Sequence, residues 1–245
     1  MNKEDSKLGL AEATELVTNM TKQVKMIDKN NILEIIRQKL ENSADQKTKE
    51  KGPKFFKEEI KLHGVKVATV TKISKEYFEK IKYYKKYEIF GLCEELWKSG
   101  YIEESFIACN WSYYMHENYS SSDFLIFEKW LKSYVNNWAS CDTLCNHTIG
   151  TFMVKYPEYL SRIIEWTKSD NRWIRRGAAV TIIIPARNGK FLKNILSIAD
   201  QLLLDQDDLV QKGYGWMLKA ASEAHEKEIF NYVMRNKIKM PRTAL

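Results

Sequence analysis

The chain has 245 residues, a net charge of +7, 44% hydrophobic and 12% aromatic residues, which supports a substantial core and excludes wholesale disorder. Ten glycines and four prolines leave few turns for a β-rich fold, and no run approaches the ~18 apolar residues of a membrane-spanning helix. The start, Met1-Asn2-Lys3-Glu4-Asp5, lacks the apolar core of a signal peptide, so the expected compartment is the cytoplasm.

Residues 1–30 read as an N-terminal helical extension, and 31–245 as one domain. Asn31 is placed to cap a helix whose stripe runs Ile32, Leu33, Ile35, Ile36 and Leu40. The polar stretch Asn42 to Pro53 reads as a loop, followed by a helix to about Leu62 that breaks at His63-Gly64. Further helices are expected over Ile73 to Lys86, Tyr87 to Lys98, Glu103 to Glu117, a segment opened by Asp123, Ser140 to Lys155, and Pro157 to Lys168. The last units are Asp170 to Ala186, Phe191 to Leu204, Asp207 to Ala224 and Glu226 to Asn236. Val180 to Ile184 has the composition of a buried strand but lies inside a longer helical pattern, which favours helix. Pro241 to Leu245 reads as the first turn of a helix, one either truncated or very short. Helix pairs recurring roughly every 35 to 40 residues predict an all-α solenoid of HEAT-like repeats, wound as a right-handed superhelix.

Charge is unevenly spread. Between Asp45 and Lys86, 13 lysines face 6 acidic residues, an excess equal to the whole net charge, and seven of the eight arginines follow residue 160. Diffuse lysine charge with a late cluster of planar arginine forks suits a polyanion better than a merely solvated surface. Four cysteines are too few and scattered for a disulfide scaffold. Cys141, Cys145 and His147 have no fourth ligand nearby, so the cysteines read as small packing residues and no metal is expected.

Trp138 and Asp142 stand four residues apart on one helix face. An indole beside a carboxylate suits a cationic ring-shaped target, because the ring face and the negative charge both attract it. Two similar clusters recur at about the repeat period, Asn171-Arg172-Trp173-Ile174-Arg175-Arg176 and Gly213-Tyr214-Gly215-Trp216. Trp97, Trp111, Trp130, Trp166 and Trp173 are spaced with aliphatic residues and read as core, while Asp142 has a helix cap as its plainer alternative. Gly213 and Gly215 follow no strand, so close packing explains them better than a phosphate loop.

Trp138-x-x-x-Asp142, Ser169-Asp170-Asn171-x-Trp173-x-x-Arg176 and Gln211-Lys212-x-x-Gly215-Trp216-x-Leu218 resemble the AlkD-type DNA alkylation repair glycosylases. The resemblance implies a superhelix whose concave face holds duplex DNA and which excises cationic purines such as 3-methyladenine and 7-methylguanine without flipping the base. It implies Asp142 as the catalytic carboxylate, Trp138 and Trp216 flanking the deoxyribose, and Arg176 on the adjoining phosphate. Arg175, Lys212 and Arg242 are further expected DNA contacts, and Phe55 falls where the family can present a tyrosine. Ala139-Ser140-Cys141 departs from the family pattern. The expectation is therefore a monomeric alkylpurine DNA glycosylase with neither metal nor organic cofactor. A non-catalytic relative binding distorted or branched DNA, and a helical scaffold binding an acidic protein, are the alternatives.

Overall fold

The structure, a computed structural model, describes residues 29–245, so the extension expected over 1–30 lies almost wholly outside the described residues. Helices α1 (Lys29–Asn42), α2 (Gln46–Lys51), α3 (Val67–Ile81), α4 (Lys86–Lys98), α5 (Ile102–Tyr114) and α6 (Asp123–Ser133) come first. Then follow α7 (Trp138–Thr143), a π turn (Leu144–Ile149), α8 (Gly150–Lys155), α9 (Leu160–Trp166), α10 (Arg172–Val180) and α11 (Ile183–Arg187). The series ends with α12 (Leu192–Leu202), α13 (Asp208–Ser222) and α14 (Glu226–Asn236). Among the described residues the one β-type pairing is an isolated bridge between Lys61 and Tyr101. The chain is an all-α solenoid.

Its period is visible in the packing. Helices α5, α7, α10 and α13 begin at Ile102, Trp138, Arg172 and Asp208, 34 to 36 residues apart, and each packs on the next. On the neighbouring layer, the Trp130 indole N–H donates to Glu94 (2.7 Å) and the Trp166 indole N–H to Glu128 (2.8 Å). A buried tryptophan usually finds an acceptor for its N–H, and for these two the preceding repeat supplies it. The ring bodies of Trp97, Trp111, Trp130, Trp166 and Trp173 are buried, as their spacing predicts.

Three stretches differ from the sequence expectation. Part of the expected loop at 42–53 is helix α2, because Asp45 caps it by accepting from the Thr48 backbone and hydroxyl. Residues expected to be helical up to Leu62 instead form a short 3₁₀ turn, Gly52–Phe55, and then an irregular segment, and α3 starts at Val67 rather than Ile73. The buried Glu103 carboxylate takes the backbone N–H groups of His63, Gly64 and Val65 at 2.8 to 3.0 Å, donors that a continuing helix would direct to its own carbonyls. Finally, the run 170–186 is two helices broken at Thr181-Ile182. Pro185 has no N–H for the Thr181 carbonyl four residues back, and that carbonyl lies against Gly150 of α8, where a Cβ would sit only 2.6 Å from it.

Candidate active site

Asn137 has extended backbone and its side chain accepts from the Ser140 N–H, capping α7. That cap puts Trp138 at the first helical position and Asp142 one turn below it, so Asp142 is not the cap. Asn137 is buried, and Ser140, also buried, bonds Ser105 of α5 at 2.7 Å. Cys141 is buried against the Trp173 carbonyl. Ser140 and Cys141 of the Ala139-Ser140-Cys141 stretch therefore serve inter-helix packing.

Trp138, Asp142 and Trp216 line one cleft of about 610 Å³, mostly apolar, with Phe55, Phe56, Val67 and Phe106 on its walls. Both tryptophans are half-buried. The Trp138 indole N–H donates to the Phe55 carbonyl at 3.3 Å, and the Phe56 ring stacks on Trp138 with centroids 5.4 Å apart. The ring against Trp138 is thus Phe56, while Phe55, 74% exposed, stands at the rim. Phe55 closes a 3₁₀ turn (Gly52–Phe55) and Phe56 follows it with extended backbone, so the two rings point apart and only Phe56 meets the indole.

Arg176 is turned inward. Its Nε donates to Asp142 Oδ1 and its Nη2 to Asp142 Oδ2, both at 2.7 Å, and its Nη1 donates to the Leu209 carbonyl. At 6% exposure its fork is committed to these partners, whereas a phosphate grip was expected. Burial raises the Asp142 carboxyl above its ordinary value, and the Arg176 guanidinium partly offsets this. Burial alone would lower Arg176, but Asp142 holds it above its usual range. The site therefore contains a desolvated carboxylate kept in a fixed orientation by a two-point ion pair.

The other expected DNA contacts are dispersed. Arg175 is engaged by Asp205 at 2.7 Å and by the Ser169 and Asp170 carbonyls. Lys212 is exposed and pairs with Asp208, which Lys57 also contacts. Arg242 is exposed in the C-terminal turn, where Ala244 packs against Gly215 of α13. Gly213 in turn lies against the Arg176 side chain, so both glycines serve close packing.

Sequence reasoning missed Phe56 and the arm that carries it. Beyond the Phe55–Trp138 bond, Lys57 reaches Asp208 and Glu58 reaches Arg172 at 3.2 Å, tying residues 55–58 to α13 and α10. It also missed Asn110 and Asn146 on the cleft wall. No group of three or more potential metal ligands occurs among the described residues.

No curated protein matches the chain. A solved structure of a predicted DNA alkylation repair enzyme from Enterococcus faecalis superposes with a TM-score of 0.73 at 15% identity, covering 82% of this chain and 93% of that one; this likeness concerns the fold. The family model for DNA alkylation repair enzymes matches residues 36–245, and the chain belongs to that family.

Proposed function

We propose that this protein is a DNA glycosylase that hydrolyses the N-glycosidic bond of cationic alkylated purines, of the 3-methyladenine and 7-methylguanine type, in duplex DNA. The observation that carries the reading is the part-buried Asp142 carboxylate sharing one cleft with two half-buried indoles and fixed there by Arg176. An N-alkylated purine is already positively charged, so its departure needs no proton. As the C1′–N bond breaks, its electron pair neutralises the purine and positive character passes to the sugar. A preorganised carboxylate in a water-poor site stabilises that charge far better than one in bulk water.

In this reading the deoxyribose enters between Trp138 and Trp216, and the base is not extruded into a separate pocket. Water adds to C1′, releases one proton and leaves an abasic site. Arg176 acts first as a positioning residue, holding Asp142 ionised and oriented. Phosphates are met by exposed cations of the HEAT-like concave face, with Lys212 and Arg242 as candidates, which gives affinity without reading sequence. The protein acts as a monomer, and Phe55 at the rim contacts the strand.

Incubation with a methylated duplex, followed by chromatography of released bases, tests the reading. Release of free 3-methyladenine and 7-methylguanine is expected. Tight binding of the duplex with no base released would replace it with a non-catalytic DNA-binding role.

A further inference from the structure

We infer that Asn146 is a further catalytic residue of this site, the acceptor that orients the attacking water beside Asp142; the inference rests on the glycosylase reading. Asn146 follows Asp142 by four residues, and both side chains line the same cleft. Between them the helix changes from α to π winding, Leu144–Ile149, with the Gly150 N–H bonded back to the Cys145 carbonyl. π turns inside α-helices concentrate at functional sites because the extra residue re-aims side chains. Here residues 142, 143, 146 and 147 all reach the cleft wall.

The Asn146 Oδ1 is buried and has no hydrogen-bond partner among the described residues. A buried acceptor without a donor is destabilising, and its retention calls for an explanation. The other side-chain atoms in that condition belong to residues that do not line the cleft. The neighbouring Thr143 hydroxyl is already committed to the Ala139 carbonyl at 2.8 Å. Asn146 is therefore the wall residue with a buried, unpartnered acceptor, which a turn of its side chain presents to a small donor entering beside Asp142.

Water is the donor that the reaction requires. Each Asp142 oxygen accepts one bond from Arg176 and keeps lone-pair capacity for another. A water giving one hydrogen to Asp142 and the other to Asn146 Oδ1 has its lone pair free for C1′. As the C–O bond forms, the C1′–N pair leaves with the now neutral purine, and the surplus water proton passes to Asp142 and on to solvent. A fixed nucleophile of this kind converts a random encounter into an oriented one.

The test compares the parent with Asn146→Leu and Asn146→Ala. Single-turnover base release, duplex affinity, thermal midpoint and product distribution in aqueous methanol are measured. Leu keeps the shape and removes the unpaired acceptor, so the midpoint should hold or rise and affinity should persist. Release should slow about 100-fold, the scale set by small misplacements of a reacting group, and the share of methyl glycoside among products should increase, because methanol no longer competes with a held water. Ala should show the same kinetic pattern if Leu does not fold. Parental release by both variants, or slowing that tracks lost affinity, overturns the role of Asn146 and leaves the glycosylase reading standing. A parent that binds duplex but releases nothing overturns both.

Discussion

Arg176 grips Asp142 across a repeat boundary with two parallel 2.7 Å hydrogen bonds, one to each carboxylate oxygen, and its third nitrogen bonds the Leu209 carbonyl. One side chain thereby joins α7, α10 and the first turn of α13, so that the Asp142 carboxylate and the frame of the solenoid are held by the same contact. Removing the arginine leaves a part-buried carboxylate unpaired. Arg176→Ala should lower unfolding stability by about 3 to 5 kcal/mol, and Arg176→Lys should recover only part of it, since an ammonium cannot make the two-point contact. Urea denaturation of both variants measures this. Equal stability of parent and Arg176→Ala would mean the pair contributes little to the fold.

Acid should disable the site before it unfolds the protein. Burial raises the Asp142 carboxyl above its ordinary 3.8, with Arg176 opposing, so this group favours the fold below its unfolded value and loses that contribution as pH rises through its folded value. Glu94 and Glu128 behave oppositely. Burial would raise them, but Lys129 and Tyr134 hold Glu94, and Trp166 and Lys132 hold Glu128, below the ordinary 4.5. Their contributions are present above 4.5 and are lost as pH falls through the lowered values. Base release should therefore decline at a pH above 3.8 while the helical circular dichroism signal stays intact. Simultaneous loss of both signals would contradict this order.

Local spacing made half of the site legible. Trp138 and Asp142 share a face by their i, i+4 relation, and Trp216 joins them because successive inner helices start 34 to 36 residues apart. Arg176 was legible as a site residue but not as the partner of Asp142, because that pairing depends on how α7 meets α10. The segment before Val67 was misread for the same kind of reason, since Glu103, some 40 positions away, withdraws three backbone donors from a would-be helix. The break at Thr181 did have a local signal, Pro185, and the Glu94–Trp130 and Glu128–Trp166 pairs were a repeat signature hidden by the degeneracy around them.

The arm at 55–58 depends on Trp138. Trp138→Ala removes the acceptor-matched indole N–H and the surface on which Phe56 stacks, so both base release and lesion affinity should fall. Phe56→Ala should reproduce the loss of affinity, whereas Phe55→Ala, at an exposed ring, should have the smaller effect. Fluorescence titration with a lesion duplex would separate them; a larger loss from Phe55→Ala would reverse the assignment of the two rings.

Gly150 sets how closely α8 can approach the break between α10 and α11. A Cβ there would lie 2.6 Å from the Thr181 carbonyl oxygen, a backbone atom that cannot swing aside. Gly150→Ala should cost about 1 to 3 kcal/mol despite the better helix propensity of alanine. Thermal unfolding checks this, and a rise in midpoint would show that the crossing yields easily.

Asp142→Asn is the variant that separates charge from shape. The amide fills the space of the carboxylate and still offers one oxygen to Arg176, but it turns an NH2 group toward the second Arg176 donor, so stability should fall, and circular dichroism checks that the variant remains folded at the assay temperature. What it lacks is the negative charge opposite the forming sugar cation. Loss of one preorganised electrostatic group costs on the order of 10² to 10³ in rate, about 3 to 4 kcal/mol, and release of 7-methylguanine should slow at least that much. Duplex affinity should hold or rise slightly, because a carboxylate near phosphates has gone. Slow release with retained affinity, measured under single-turnover conditions, places the effect on the chemical step. Parental rates in this variant would remove Asp142 from the mechanism, and with it the reason for an arginine to keep a carboxylate ionised in an apolar cleft.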